Sequence, residues 1–180
     1  VPGRCCGLPL GGGSGRAVAG GRLWGFGDRG PNLKAGLATG RYGLTHLARL
    51  ADVSGAKIMP DLAIGPTITE LILGPDRVTA GAVLRLKTPT GRAVPGLPLP
   101  GGDSADMEPA FDLEGRRLAP DPDGMDTEGL AALPDGTFWV AEEYGPSLVQ
   151  VDADGVCRRR LVPAGTTLPG AEIPTFDTLP

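Results

Sequence analysis

Short runs of apolar and alternating residues recur along the chain, separated by turn-forming residues. The runs rich in β-branched, aromatic or alternating apolar residues predict β-strands at 22–27, 68–73, 82–87, 137–141 and 147–151. Tyr144-Gly145-Pro146 lies between the last two runs and predicts a tight loop of an antiparallel hairpin. Only residues 42–51 have a pattern that favours a helical turn or two.

Glycine and proline set the fold class. The chain of 180 residues contains 30 Gly and 19 Pro, which interrupt any long helical period and exclude helix bundles. We therefore predict an all-β fold of antiparallel sheets with long Gly/Pro-rich connections. Residues 88–124, rich in Pro, Gly and Asp, are predicted to form a long acidic connection over the surface. No apolar stretch approaches the ~20 residues that a transmembrane helix needs.

An internal repeat indicates how the sheets are arranged. Aligning the chain with itself pairs Trp24 with Trp139 and Asp28 with Glu143, each acid preceding a Gly-Pro turn. A repeated unit of turn, Trp-bearing strand and acidic residue is typical of the blades of a β-propeller. Equivalent acids would then gather at one mouth of the axial channel.

Charge is distributed unevenly. The net charge is -4, but residues 101–155 are strongly acidic whereas residues 1–100 are basic overall. So acidic a segment makes nucleic acid an unsuitable partner. Two interpretations remain open, a solvated acidic surface and a set of carboxylates that bind divalent cations.

Other chemistries find little support. Cys5, Cys6, Cys157 and the single histidine His46 lack the spacing of a zinc site, and the sequence leaves the roles of the cysteines open. One histidine and no nucleophile elbow argue against a serine-hydrolase triad.

A family resemblance is carried by three consecutive segments. Residues 126–131 read DTEGLA, residues 133–140 read LPDGTFWV, and residues 142–148 read EEYGPSL. Together they resemble the signature of the phytase-like domain family, also called esterase-like activity of phytase. The segments 13–15 (GSG), 27–32 (GDRGPN) and 66–71 (PTITEL) match its opening motifs and its next strand.

The resemblance implies a partial β-propeller related to calcium-dependent phytases. Residues 1–180 would form a single truncated domain, roughly the first half of the family domain. Either the chain is a truncated product or the remaining blades come from elsewhere. It also implies a secreted or periplasmic protein, although the chain carries no signal peptide. The oligomeric state is left open.

For the site, the resemblance implies Ca²⁺ and a phosphorylated small-molecule substrate. The expected metal ligands are the acidic residues Asp28, Asp126, Glu128, Glu142 and Glu143. Glu128 and Glu143 are also the candidate catalytic residues, as ligands or general base, and Arg29 would neutralise a substrate phosphate.

Glu142 is the weaker of the two adjacent candidates. It stands where the family commonly carries Asp, and alternation along a strand turns it to the face opposite Glu143.

Two functions remain open at this point. One is a calcium-dependent phosphoester hydrolase. The other is a non-catalytic propeller that serves as a binding or scaffold module, with carboxylates that fix loops or hold structural calcium.

Overall fold

The computed structural model describes residues 4–5, 8–9, 15–101, 104–163, 168 and 175–176. The strands are β1 (Arg4–Cys5), β2 (Leu8–Pro9), β3 (Gly15–Ala19), β4 (Arg22–Gly27), β5 (Leu33–Lys34), β6 (Lys57–Ile58), β7 (Thr67–Leu73), β8 (Val78–Arg85), β9 (Ala110–Phe111), β10 (Thr127–Ala132), β11 (Phe138–Glu142), β12 (Ser147–Val151), β13 (Cys157–Pro163) and β14 (Thr175–Phe176). The helices are α1 (Ala35–Gly40), a 3-10 helix (Thr45–Leu50) and α2 (Ser104–Met107). Cys6 and the motif residues Gly13 and Ser14 lie outside the described residues.

Two larger sheets dominate the described structure. The first sheet has the strand order β3-β4-β7-β8 and is antiparallel throughout. The second has the order β10-β11-β12-β13-β14, in which only the β13-β14 pair is parallel. A small mixed sheet, β5-β6-β9, lies beside α1 and the 3-10 helix. The prediction of a mostly β, antiparallel protein is confirmed.

One hydrophobic cluster joins the two larger sheets. Trp24 and Phe26 from β4 pack in the same cluster as Phe138 and Val140 from β11. The rings of Trp24 and Phe138 meet edge to face, with centroids 5.0 Å apart and planes at 79°. The β4 and β11 strands therefore lie at the centre of the core, and the loops at their ends are fixed relative to each other.

The strand predictions succeed where turn residues bracket an apolar run. β4 and β12 have the predicted bounds, and the loop at Tyr144-Gly145-Pro146 joins antiparallel strands. The helical turn predicted at 42–51 appears as the 3-10 helix. α1 was not predicted, because its Gly-rich sequence favours no helix and it forms by burying the small side chains of Ala35 and Ala38.

The predicted equivalence of Trp24 and Trp139 is wrong. The β3-β4 and β10-β11 pairs are both antiparallel hairpins, as the repeat predicts. Trp24, however, is buried in the core, whereas Trp139 is half-buried on the face of β11 opposite Phe138 and Val140. Because strand side chains alternate, the core counterpart of Trp24 is Phe138, one residue earlier than predicted.

The connection at 88–124 does not simply run over the surface. Residues 94–99 are buried, with Val94 in the central cluster and Leu97 in a smaller one with Met59 and Ala110. The segment also contains α2 and β9, which pairs with β6 in the small sheet. A high proline content predicts irregular backbone, but irregular backbone can also be buried, as it is at residues 94–99.

Among the described residues the sheets do not close into a ring, so the propeller stays a prediction. In the part of the chain that the structure describes, no helix has both the length and the apolar character to cross a membrane.

Candidate functional site

A threonine links the two larger sheets at the point where β4 ends and β10 begins. The hydroxyl of Thr127 donates to the carbonyl oxygens of Gly27 and Asp28, at 2.9 and 3.0 Å. Thr127 is almost fully buried, so this contact is shielded from water. The acidic residues on either side of it, Asp28 from one sheet and Asp126 and Glu128 from the other, are thereby held at one junction.

A β-bulge sets the direction of Glu128. On β11, Glu142 pairs with Thr127 and Ala141 pairs with Gly129, so Glu128 has no partner across the ladder. An extra residue of this kind locally bends its strand and re-aims a side chain. Glu128 is exposed although its neighbour Thr127 is buried. The bulge therefore allows a carboxylate to reach solvent at the buried junction.

Three carboxylates meet at this junction. Asp126, Glu128 and Glu143 each offer an oxygen, and these oxygens lie within 4.8 Å of one another. The backbone N–H of Glu143 donates to the carbonyl oxygen of Asp126 at 2.9 Å, which fixes the spacing of the two chain segments. Asp126 is fully buried whereas Glu128 and Glu143 are exposed, so the cluster (Asp126, Glu128, Glu143) has a buried floor and an open rim.

Two carboxylate oxygens at the junction are buried without a hydrogen-bond partner. They are Oδ1 of Asp28 and Oδ1 of Asp126, the only carboxylate oxygens with this property among the described residues. Buried polar atoms in native proteins are nearly always partnered, and an exception calls for an explanation such as a bound ion. Asp28 lies outside the closest cluster, but its charge is near enough to act on Glu128.

Arg29 is buried directly behind the cluster. Its Nη2 is ion-paired with Oδ2 of Asp126, and its Nη1 donates to Glu108 and, at 2.7 Å, to the hydroxyl of Tyr144. Glu108 in turn accepts from Nζ of Lys57 at 2.9 Å. The predicted contact between Arg29 and a substrate phosphate stays a prediction. Within the described structure Nη1 has two acceptors and Nη2 has one, whereas the buried Nε has no hydrogen-bond partner.

Three members of this network were not among the predicted site residues. Lys57, Glu108 and Tyr144 are distant from Arg29 along the chain, and only Tyr144 belongs to a segment that carried the family resemblance. Burial raises the pKa of the Tyr144 hydroxyl, which keeps it protonated. Burial would also raise the pKa of Glu108, but the hydrogen bonds from Arg29 and Lys57 outweigh it and lower that pKa. One usable signal was the charge distribution, because a basic first hundred residues and an acidic segment at 101–155 favour ion pairs between them.

Glu142 is not part of the cluster. Its carboxylate accepts hydrogen bonds from the backbone N–H groups of Tyr144, Gly145 and Asp126, and from the hydroxyl of Ser147. Burial raises the pKa of Glu142, an effect opposed by the nearby Arg160 and by these donors. The contacts fix the loop after β11, which is the loop that presents Glu143. The predicted alternation of the two acids agrees with this arrangement, since Glu142 is buried and Glu143 is exposed.

Ion pairs with basic residues from the first hundred neutralise part of the acidic segment. Arg92 forms a two-pronged pair with Asp121 at 2.8 Å and also pairs with Asp123. These two aspartates therefore do not form a calcium loop with free oxygens. The carboxylates on the open rim of the cluster, Glu128 and Glu143, make no such ion pair in the described part of the chain.

Replacing Glu128 with Gln is expected to raise the melting temperature of the calcium-free protein at pH 7. Burial and the charges of Glu143 and Asp28 raise the pKa of Glu128, so its ionised form is less favourable in the folded protein than in the unfolded one. This loss of folding free energy is absent below the unfolded pKa of about 4.5, where Glu128 is protonated in both the folded and the unfolded protein. It grows as the pH rises through the folded pKa of Glu128.

Calorimetric scans at pH 4 and pH 7 in the presence of a chelator measure this effect. Glu114→Gln is the control, because Glu114 is exposed and pairs with Arg116 at 3.1 Å; no rise is expected there. An unchanged or lower melting temperature of Glu128→Gln at pH 7 would contradict the repulsion.

The family follows from the sequence as a whole. Residues 8–174 match the family described as phytase-like, esterase-like activity of phytase. Neither a curated protein nor a solved structure matches the chain significantly. The family match suggests a protein of the phosphoester-hydrolase kind. The match covers most of the chain, and the chain belongs to the phytase-like family.

Proposed function

We propose that this protein is a calcium-dependent phosphoester hydrolase that acts on phosphorylated small molecules, with the cation held by Asp126, Glu128 and Glu143. The observation that carries the proposal is the fully buried Asp126, whose Oδ1 has no partner and whose neighbours are two exposed carboxylates. An unpartnered buried oxygen beside two more negative groups is costly unless a cation neutralises them.

The donor set suits calcium. Ca²⁺ takes six to eight oxygen ligands and accepts carboxylates in irregular arrangements, whereas zinc favours nitrogen and sulfur. The cluster supplies carboxylates only, and Oδ1 of Asp28 offers a further oxygen at the same junction. When bound, the cation would supply charge neutralisation at a phosphoryl oxygen and a more acidic water molecule.

The residues at the junction have different proposed roles. Glu128 and Glu143 are exposed, so a substrate can reach them, and we assign to them the roles of ligand and general base. Asp28 is a supporting ligand. Glu142 is not in the proposed set, because its oxygens already accept hydrogen bonds from the loop that it fixes.

The same proposal includes a partial propeller architecture and a secreted or periplasmic location. Calcium sites of modest affinity function at the higher calcium concentrations outside the cytosol. These two elements rest on the family and on the donor set.

Calorimetric titration with Ca²⁺ tests the metal site. The protein is expected to bind Ca²⁺, and the double variant Glu128→Gln/Glu143→Gln is expected to bind at least about tenfold more weakly, because charge count sets affinity at such sites. The matched control is Asp76→Asn/Asp154→Asn, which removes the same number of charges from turns outside the cluster. Equal heats from the double variant and the unaltered protein would overturn the proposed site.

Hydrolysis of an aryl phosphate separates the two functions. Calcium-dependent release of phosphate that is lost in Glu128→Gln supports the hydrolase. Calcium binding that raises the melting temperature without any turnover would instead identify a binding or scaffold module.

A further inference from the structure

Arg29 is the buried cation at the centre of the junction. Its side chain is 8% exposed, and it pairs with Asp126 through Nη2 and with Glu108 through Nη1. The Tyr144 hydroxyl accepts a second hydrogen bond from Nη1, and the guanidinium also lies over the Tyr144 ring at 5.1 Å from its centroid. These contacts define both the position and the plane of the guanidinium.

The two carboxylate oxygens of Asp126 differ in their hydrogen bonding. Oδ2 accepts from Arg29, whereas Oδ1 has no partner. A carboxylate that is held by one oxygen cannot rotate freely, so its other oxygen keeps a fixed direction. In this arrangement Asp126 keeps an oxygen available to the cluster while remaining fully buried.

A second ion pair stands behind Arg29. Lys57, from β6 of the small sheet, pairs with Oε1 of Glu108 while Arg29 pairs with Oε2. Two cations and two anions, Lys57 and Arg29 with Glu108 and Asp126, leave this network without net charge. The excess negative charge at the junction therefore comes from Glu128, Glu143 and Asp28, which Arg29 does not pair with in the described structure.

We infer that Arg29 is a positioning residue that orients Asp126 toward the cluster, and that the Lys57–Glu108 pair holds Arg29 in place. The inference rests on the proposed cation site. It assigns a role in metal affinity to Lys57 of the small β5-β6-β9 sheet and to Glu108, which directly follows α2, although neither residue belongs to the cluster. Residues that orient metal ligands from behind commonly change affinity by about 10- to 100-fold when they are altered.

Glu108→Gln is the first test. Glu108 is 31% exposed, so the variant can be expected to fold, yet it loses the charge that holds Arg29. We expect Ca²⁺ affinity, measured by calorimetric titration far below the melting temperature, to fall about tenfold. Asp112→Asn is the matched control, because it also removes an acid paired with an arginine, Arg116 at 2.7 Å, but outside the cluster and its network. It should bind Ca²⁺ like the unaltered protein.

Arg29→Lys is the second test and separates position from charge. Lysine keeps the positive charge but lacks the planar fork that holds Asp126 and Glu108 together. Weaker Ca²⁺ binding in a folded Arg29→Lys protein supports positioning, whereas unchanged binding would show that charge balance alone suffices and would overturn the inference.

The outcomes also separate this inference from the proposed function. If the unaltered protein binds no Ca²⁺, the proposed function fails and the inference falls with it. If the unaltered protein binds Ca²⁺ and Glu108→Gln binds it equally well, only the positioning role is wrong. A lower melting temperature with unchanged affinity would mean that the network is merely structural, which also contradicts the inference.

Discussion

Replacing Phe138 with Ala is expected to lower the free energy of unfolding by about 3–5 kcal/mol. Phe138 is 1% exposed and lies in the cluster shared by the two larger sheets, where its ring meets Trp24 edge to face. Its removal leaves a cavity between sheets that cannot easily collapse, because each is held by its own hydrogen-bond ladder. Urea unfolding of the calcium-free protein, followed by circular dichroism, measures the loss.

The neighbouring Trp139 supplies the control. Trp139→Ala removes a larger side chain, but Trp139 is only half-buried on the opposite face of β11. We expect a smaller loss than for Phe138→Ala, and a double-mutant cycle should couple Phe138 to Trp24 but not to Trp139. A larger loss at Trp139 would contradict the expectation that the cluster shared by the two sheets contributes more to stability than the opposite face of β11.

Gly30→Ala is expected to cost at least about 3 kcal/mol and to reduce the folded fraction sharply. Gly30 has a φ of 87°, which side chains rarely adopt. A Cβ there would also lie 2.9 Å from the carbonyl carbon of Ile64 and closer still to its oxygen. The backbone would have to move, next to Arg29 and therefore next to the cluster.

Gly91→Ala isolates the effect of space from that of conformation. Gly91 has the same φ of 87°, but a Cβ there would meet no atom within 4 Å. Its substitution should cost only about 1–2 kcal/mol, the usual penalty of the left-handed region. Both variants are compared by urea unfolding. Similar losses in the free energy of unfolding at the two positions would show that the backbone around Gly30 can move to accommodate a Cβ. The close approach to Ile64 would then not be a constraint.

Local chemistry made much of the sheet structure predictable. β4 and β12 have their predicted bounds because turn residues enclose each apolar run. The burial of residues 94–99 could not be predicted, since it depends on contacts with distant strands that no local pattern records. The same limit applies to the tryptophans, because a difference of one residue in the pairing of a hairpin turns a side chain to the other face.

The candidate site was predictable only in part. Asp126, Glu128 and Glu143 are close in sequence or joined by one hairpin, and the structure brings them together. The network behind them was not predictable, because Glu108 and Lys57 reach Arg29 through tertiary packing. Nor does sequence distinguish Glu142 from Glu143 in detail; the four hydrogen bonds to Glu142 are visible only once the loop has folded.

The bulge at Glu128 also bears on how this protein can evolve. Residues within a ladder are constrained by their cross-strand partners, so a substitution there alters the pairing energy of the sheet. Glu128 has no such partner, and its side chain is exposed. A mutation at this position can therefore change the charge and reach of the site at little cost to the fold. Because of the bulge, substitutions at Glu128 can change the chemistry of the site without changing the strand pairing that stabilises the sheet.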